Sequence, residues 1–258
     1  MDLLRTHLLL SSHLLKLGHD LRQALPSKLQ IETKQNRLDL VTNIDKTVEQ
    51  NLVAYLQKHF AAEKIISEEG YGTTVEDLSG YVWTIDPIDG TMNFITQKNS
   101  FGILVSLYKD GCGLLGYIYE VMTDRLYYAI HNYGAYCNGH QLQAPANLAL
   151  TKGLLISDER LIKKASPAFL KVAEETLGIR SYGSATCETL SIIKGEAVAY
   201  LNCSTQPWDI APALVFAAEL DLVCTQMSGQ AFNLLGENKI IFATPKAHTP
   251  LQEVALYL

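Results

Sequence analysis

Residues 83–94 read Trp83-Thr84-Ile85-Asp86-Pro87-Ile88-Asp89-Gly90-Thr91-Met92-Asn93-Phe94, and the stretch changes character midway. An apolar strand, Tyr81 to Ile85, delivers two carboxylates, Asp86 and Asp89, three residues apart with a proline between them. Carboxylates that meet at the end of a buried strand repel each other unless a cation lies between them. Gly90 and Thr91 then lead into a helix start, whose free backbone N–H groups favour an anion. A metal beside an anion site points to phosphate chemistry.

The composition sets the frame for that stretch. With 258 residues, 48% hydrophobic and 19% charged, the chain has the material for a large buried core and little for disorder. Its net charge of −6 argues against a general nucleic-acid binder, which would carry a basic stripe. Cys112, Cys137, Cys187, Cys203 and Cys224 form no C-x-x-C pair and are odd in number, which fits a reducing, cytoplasmic setting and buried thiols rather than a disulfide or zinc framework. Residues 1–25 are leucine-rich but interrupted by His7, Ser11, His13, Lys16 and His19. Leu4, Leu8, Leu14, Leu15, Leu21 and Leu25 recur at helical spacing, so the segment reads as an amphipathic helix packed on the domain, not a signal peptide or membrane span. The three histidines read as part of its solvated face.

Beyond Pro26, residues Leu29 to Thr33 alternate like a short strand, and Lys34 to Asp39 form a polar, mobile loop or hairpin tip. Leu40-Val41-Thr42 is extended, and a helix runs from Lys46 to His59 with Val48, Leu52, Leu56 and Phe60 on one face. Asp45 at its start, taken alone, reads as an N-terminal cap. Lys64 to Ser67 is a strand stopping at Glu68-Glu69-Gly70. Runs at Phe101–Tyr108, Gly113–Val121 and Arg125–His131, separated by Asp110-Gly111 and Thr123-Asp124, predict an antiparallel meander. From residue 151 strands and helices alternate, with helices at Pro167–Leu177, Ala185–Lys194 and Ile210–Leu220, strands at Leu154–Ile156, Ala197–Leu201, Leu222–Thr225 and Ile240–Ala243, and a last helix from Pro250. The expectation is a mixed α/β chain forming one domain over 1–258, a meander half (1–150) followed by an alternating half (151–258), with no linker between them.

Glu68 at a strand end and Asp209 at a helix start are further acidic candidates for a shared crevice, although a helix cap explains Asp209 and a solvated loop explains Glu68 and Glu69 equally well. An all-oxygen set without histidine or cysteine favours Mg²⁺ over zinc. No P-loop and no G-x-S-x-G elbow is present.

Taken in order, Leu40-Val41-Thr42-Asn43-Ile44-Asp45, Ser67-Glu68-Glu69-Gly70, Asp86-Pro87-Ile88-Asp89-Gly90-Thr91 with Asn93-Phe94, Gly183-Ser184-Ala185 and Pro207-Trp208-Asp209-Ile210-Ala211 resemble the signatures of the inositol monophosphatase family across nearly the whole chain. The resemblance implies a layered α-β-α-β-α sandwich shared with fructose-1,6-bisphosphatases. It implies two or three Mg²⁺ ions on Glu68, Asp86, Asp89, Asp209 and the Ile88 carbonyl. It makes Asp45, Thr91 and Glu68 catalytic, the first two bonded to the attacking water. Phosphate would lie on Gly90 and Thr91, with Gly183, Ser184, Ala185, Asn202 and Asp209 towards the substrate. A homodimer, lithium inhibition and a basic loop residue, Lys34, over the metals are implied too. Family members that favour inositol phosphates carry a glutamate seven residues before the second-signature aspartate; here Asn202 stands there, able to hydrogen-bond a hydroxyl but uncharged. The implied reaction is Mg²⁺-dependent hydrolysis of a small phosphate monoester, inositol 1-phosphate or a related sugar phosphate. Ser184 and Thr186 suit equally the leaving group of fructose 1,6-bisphosphate, NADP or 3′-phosphoadenosine 5′-phosphate. The reading from another class is a non-catalytic metal-binding protein. A small phosphorylated substrate is the expected partner, with neither nucleic acid polymer nor membrane.

Overall fold

The structure, a computed structural model, describes residues 1–25, 30–34 and 40–258. Expectations for Pro26, Leu29 and residues 35–39 lie outside them. The chain opens with α1 (Leu3–Ala24), the short antiparallel pair β1 (Ile31–Thr33) and β2 (Leu40–Thr42), and α2 (Asn43–Phe60). Next come β3 (Lys64–Ser67), β4 (Tyr81–Asp89), the six-residue α3 (Thr91–Thr96), and the meander β5 (Gly102–Lys109), β6 (Cys112–Glu120), β7 (Arg125–Ile130), β8 (Gly134–Cys137) and β9 (His140–Gln141). The second half contains β10 (Leu155–Ser157), α4 (Glu159–Lys164), α5 (Pro167–Glu175), β11 (Ile179–Arg180), α6 (Ala185–Ile193), β12 (Ala199–Thr205), α7 (Pro207–Glu219), β13 (Val223–Gln226), β14 (Asn238–Ala243) and α8 (Pro245–Val254).

Two sheets result, and the two-residue period of a strand decides which layer each side chain enters. In the seven-stranded sheet, ordered β3-β4-β5-β6-β7-β8-β9, Trp83, Ile85, Ile103, Val105, Leu107, Leu115, Tyr117 and Tyr119 face α1 and α2. The alternate positions Val82, Leu104, Tyr108 and Ile118 face α6 and α7. Those helices are covered on their other side by Ile156, Tyr200, Ile240 and Phe242 of the five-stranded sheet, ordered β11-β10-β12-β14-β13. That sheet's far face, with Leu155, Leu201 and Ile241, packs on Leu161, Phe169 and Leu251 of α4, α5 and α8. The layers therefore stack α-β-α-β-α, as the resemblance implied. Gly116 of β6 allows the close approach in the middle, because a Cβ there would collide with the Pro212 carbonyl of α7.

Several local expectations change. The buried stripe of α1 is Leu10, Leu14, Leu17 and Leu21, while Leu4, Leu8 and Leu15 are exposed. Gly18 selects this face, since the Tyr119 ring occupies the space where a side chain would stand. His7 and His13 are half-buried rather than fully solvated: His7 stacks on Tyr117 and tilts against Tyr128, and His13 lies over Tyr55 at 3.7 Å. The sheet in the second half is mixed, β12 pairing parallel with β10 and antiparallel with β14. Helix α4 was not anticipated; Asp158 caps it by accepting from Leu161 N at 2.8 Å. The last helix begins at Pro245 and carries Pro250 inside it, because Pro245, not Pro250, takes the N-terminal position where a missing N–H costs nothing. Among the described residues no helix is long and apolar enough to cross a membrane.

The register of α1 is testable. Leu14 is fully buried and Leu8 is 68% exposed. Leu14→Ala should cost about 2–5 kcal/mol in urea unfolding, and Leu8→Ala less than about 0.5 kcal/mol. Comparable losses at both positions would contradict this packing.

Candidate active site

The site is assembled where β3 and β4 run parallel. Ser67 is in register with Ile85, and Glu68 N donates to the Ile85 carbonyl at 3.2 Å, so Glu68 lands beside Asp86. β4 does not stop at Ile85 as expected; it continues to Asp89 through an irregularity between Asp86 and Asp89. That break turns Asp86, the Ile88 carbonyl and Asp89 onto one cavity of about 240 Å³, which Glu68, Gly90, Thr91, Gly183 and Asp209 also line. Gly90 is left-handed (φ 84°) and caps α3, and a Cβ there would press on Ser184. The first N–H groups of α3 have no partner within their own helix.

Each carboxylate has a distinct setting. Asp45 is not the cap of α2. Thr42 is, and Asp45 sits three residues on in a reciprocal capping box, its Oδ2 accepting from both Thr42 N and the Thr42 hydroxyl. Its Oδ1 lies 3.2 Å from the Thr91 hydroxyl, which is also 3.1 Å from the Ile88 carbonyl, so the single proton serves one acceptor at a time. Asp89 accepts from Ser184 Oγ (2.5 Å), Ala185 N (2.9 Å) and Thr186 N (2.7 Å), which anchors it at the start of α6. Asp209 is the third residue of α7 and accepts from Gln206 N at 2.8 Å. Neither Glu68 nor Glu69 is a solvated loop residue, because Lys34 Nζ bridges them at 2.9 and 2.5 Å.

Electrostatics oppose this crowding. Burial, then Glu68, Asp89 and Asp209, push the Asp86 carboxyl well above its usual range. Burial, then Asp89 and Glu68, do the same to Asp209. Burial also raises Glu68, against the pull of Lys34. Among the described residues no three such side chains close on a common point by themselves, since Asp89 is held by α6 and Glu68 by Lys34. The donor set nonetheless fits a hard divalent cation: all oxygen, with Asp86 and Asp89 largely buried, and with more carboxylates than Lys34 offsets.

Supporting residues escaped the sequence reading. Glu49 is fully buried and accepts from Ser67 Oγ, Glu69 N and Tyr71 N, so α2 holds the turn that carries Glu68. Its signal is a carboxylate in register with the apolar stripe of α2. Asn93 donates to the Tyr182 and Ser100 carbonyls, and Glu188 accepts from Tyr182 N and Gly183 N, so the Gly183 turn is gripped from both sides. A second hollow of about 500 Å³ shares Asp89, Gly183 and Asp209 with the first and extends past Ser184 and Ala185 to Tyr200 and Asn202. Asn202 lies on β12, which runs beyond Leu201, and its amide is engaged at both ends: Nδ2 on the Tyr200 hydroxyl (2.6 Å), Oδ1 on Ser204 N (2.8 Å). Thr186 does not reach the leaving-group space; it is fully buried against Gly102.

Fold and relatives define a phosphatase, a hydrolase of phosphoric monoesters. The model of the inositol monophosphatase family matches residues 8–255, and the chain belongs to that family. It is 35% identical to the inositol-1-monophosphatase of Bacillus subtilis over 93% of this chain and 92% of that one. It is 29% identical to human inositol monophosphatase 2 over 86% and 80%. A staphylococcal inositol monophosphatase-1 in a LiCl-soaked inhibitory complex superposes with a TM-score of 0.91 at 27% identity, covering 98% of this chain and 95% of that one. A dual-specific inositol monophosphatase/NADP phosphatase bound to D-inositol-1-phosphate superposes at 0.89 and 25% identity, covering 98% and 96%.

Glu188 gives this region a measurable pH signature. Burial first, with Asp89 adding to it, pushes its carboxyl up from 4.5 to about 7. The folded state therefore favours its protonated form; that contribution is complete below pH 4.5 and is lost as pH rises through about 7. Glu188→Gln should flatten this part of the stability profile. Relative to wild type, the variant should gain on the order of 1–3 kcal/mol between pH 4.5 and 8 in denaturant titrations. Parallel profiles for the two proteins would show that folding leaves the proton affinity of Glu188 unchanged.

Proposed function

We propose that this chain hydrolyses a small phosphate monoester, with inositol 1-phosphate as the first candidate, using Mg²⁺ held by Glu68, Asp86, Asp89, Asp209 and the Ile88 carbonyl. The observation that carries the reading is that Glu68, Asp86, Ile88, Asp89 and Asp209 line one cavity together with Gly90 and Thr91, with Asp45 buried behind Thr91 and 3.2 Å from its hydroxyl. Bound there, Mg²⁺ supplies neutralisation of the phosphoryl charge and acidification of water.

The chain's own residues do the rest. The N–H groups at Gly90 and Thr91 face the phosphoryl oxygens and orient them. The Thr91 hydroxyl donates to Asp45 Oδ1 or to the Ile88 carbonyl and so keeps a lone pair for the O–H of the attacking water. Water oxygen bonds to phosphorus as the ester P–O bond breaks, the water proton is drawn towards the Thr91–Asp45 pair, and the departing alkoxide takes a proton from solvent water in the cavity and leaves as the alcohol. Burial raises the proton affinity of Asp45, which suits that role. Lys34, on Glu68 and Glu69, tempers the negative charge at the cavity rim. Lithium inhibition and a homodimer belong to the same reading, the first supported by the LiCl complex of the staphylococcal relative. NADP is a second candidate: Asn202 leaves the substrate no carboxylate at its position, and an inositol monophosphatase/NADP phosphatase is among the structural neighbours.

Phosphate release with Mg²⁺ from inositol 1-phosphate, fructose 1,6-bisphosphate, NADP and 3′-phosphoadenosine 5′-phosphate, with and without EDTA or LiCl, tests the reading. Asp86→Asn should lower turnover roughly a hundredfold or more. It should also abolish the Mg²⁺-induced rise in melting temperature without lowering that of the metal-free protein, because it removes a buried charge that its neighbours repel. Turnover near wild type, or release unaffected by EDTA, would refute this assignment; Mg²⁺ binding with no release from any ester would favour the non-catalytic metal-binding protein.

A further inference from the structure

The rim of the second hollow is the start of α4, with Asp158, Glu159 and Arg160, and its more buried lining carries Glu188, Tyr200 and Asn202. Tyr200 is 1% exposed and Glu188 4%, so their polar ends must find partners inside the protein. Those partners can be assigned one after another. The pairing of β12 with β14 is interrupted between Asn202 and Thr205, and Ser204 N turns instead to Asn202 Oδ1 at 2.8 Å. A backbone N–H can only donate, so the amide oxygen of Asn202 faces Ser204 and the amide nitrogen faces the Tyr200 hydroxyl, 2.6 Å away.

The hydroxyl oxygen accepts that bond, which leaves its own proton for another acceptor. Glu188 takes it: burial raises the Glu188 carboxyl, and hydrogen bonding from Tyr200 is the first effect that opposes the rise. Glu188 Oε1 also accepts from Tyr182 N and Gly183 N, each at 3.2 Å. A run of directed bonds thus joins Asn202 to the Gly183 turn through Tyr200 and Glu188. A phenylalanine at position 200 would fill the same space; only the hydroxyl makes the connection. Asn202 spends one bond at each end of its amide, and a primary amide has a second N–H and a second lone pair. One donor and one acceptor, side by side and fixed in direction, match a pair of neighbouring hydroxyls, one accepting and one donating. A carboxylate in that place could only accept.

We infer that Tyr200, held by Glu188, is a positioning residue for specificity: its hydroxyl sets the Asn202 amide so that the hollow selects esters of polyols with adjacent hydroxyls. This rests on the phosphatase reading of the carboxylate cavity and adds to it the means by which the alcohol is recognised. The bond broken is the same P–O ester bond. Tyr200 acts through Asn202 on the part of the substrate that departs, so its contribution falls in binding.

The test is a matched pair, inositol 1-phosphate against cyclohexyl phosphate, which has the same six-membered ring without the hydroxyls. Wild type should show the higher kcat/KM for inositol 1-phosphate. Tyr200→Phe should reduce the ratio of the two kcat/KM values about three- to tenfold, the scale of one neutral hydrogen bond. The loss should lie in KM for inositol 1-phosphate rather than in kcat. In a double-mutant cycle, adding Tyr200→Phe to Asn202→Ala should lower the ratio no further, because Tyr200 works through Asn202. Should Tyr200→Phe fail to fold, Glu188→Gln, which replaces the carboxylate that holds the Tyr200 proton, decides in its place and should lower the ratio in the same direction. An unchanged ratio, including an equal fall for both esters, or additive effects in the cycle would overturn the proposal and leave Tyr200 as a satisfied core hydroxyl. Calorimetric titration with inositol 1-phosphate, Ca²⁺ replacing Mg²⁺, separates this from failure of the phosphatase reading. If wild type cleaves neither ester, weaker binding by Tyr200→Phe still supports the proposal, and equal binding, or none by wild type, overturns it.

Discussion

Carboxylates forced together at the end of a buried strand are the constraint on which the arrangement depends. β4 runs between two packed faces, so its last residues are almost wholly buried and meet solvent only through the cavity they line. Glu68 arrives beside them through the parallel register of β3, and Asp209 through α7. Moving such groups out of water is costly, and their mutual repulsion adds to that cost. The protein offsets part of it locally: Asp89 takes the N–H groups at the start of α6, Asp45 those of Thr42, and Glu68 an ammonium from Lys34. What is left uncompensated is concentrated on Asp86 and Asp209, whose carboxyls burial and their acidic neighbours push well above the usual range.

The bonds that relieve this charge also join distant parts of the chain. The Asp89 carboxylate ties the end of β4 to α6, ninety-five residues later at Ser184. Asn93 and Glu188 grip the Gly183 turn from opposite sides, and Glu49 reaches from α2 into the turn behind Glu68. Electrostatic relief and positioning are the same set of contacts, so loosening any of them changes both.

Much of this was legible in the residues, for a physical reason. The meander and the alternating half follow from hydrophobic period and turn residues, and both survive in the two sheets. That Glu68, Asp86, Asp89 and Asp209 share one cavity was suggested by their places at strand ends and a helix start, and the packing of β3, β4 and α7 brings them to it. What misled was information that only tertiary contacts hold. α1 has more leucines than one face can bury, and Gly18 under Tyr119 decides the choice. Asp45 resembles a cap, but Thr42 beside it caps better, and the carboxylate takes the reciprocal position. Asn202 lines the second hollow as its place in the chain suggested, with one amide bond each to Tyr200 and Ser204 that only the fold of β12 reveals.

Helix α4 is only six residues long, and the carboxylate that caps it also accepts from Cys203 N of β12. The rim is thus a small, self-contained clip fastened to one strand, with no shared hydrogen bond to Asp86 or Asp89 among those described. Such a layout separates two kinds of evolutionary change. Residues of the clip can be exchanged without disturbing the charged wall, whereas few alterations of the wall leave the balance of its charges intact. A scaffold built this way can diversify its clientele while its reaction stays fixed.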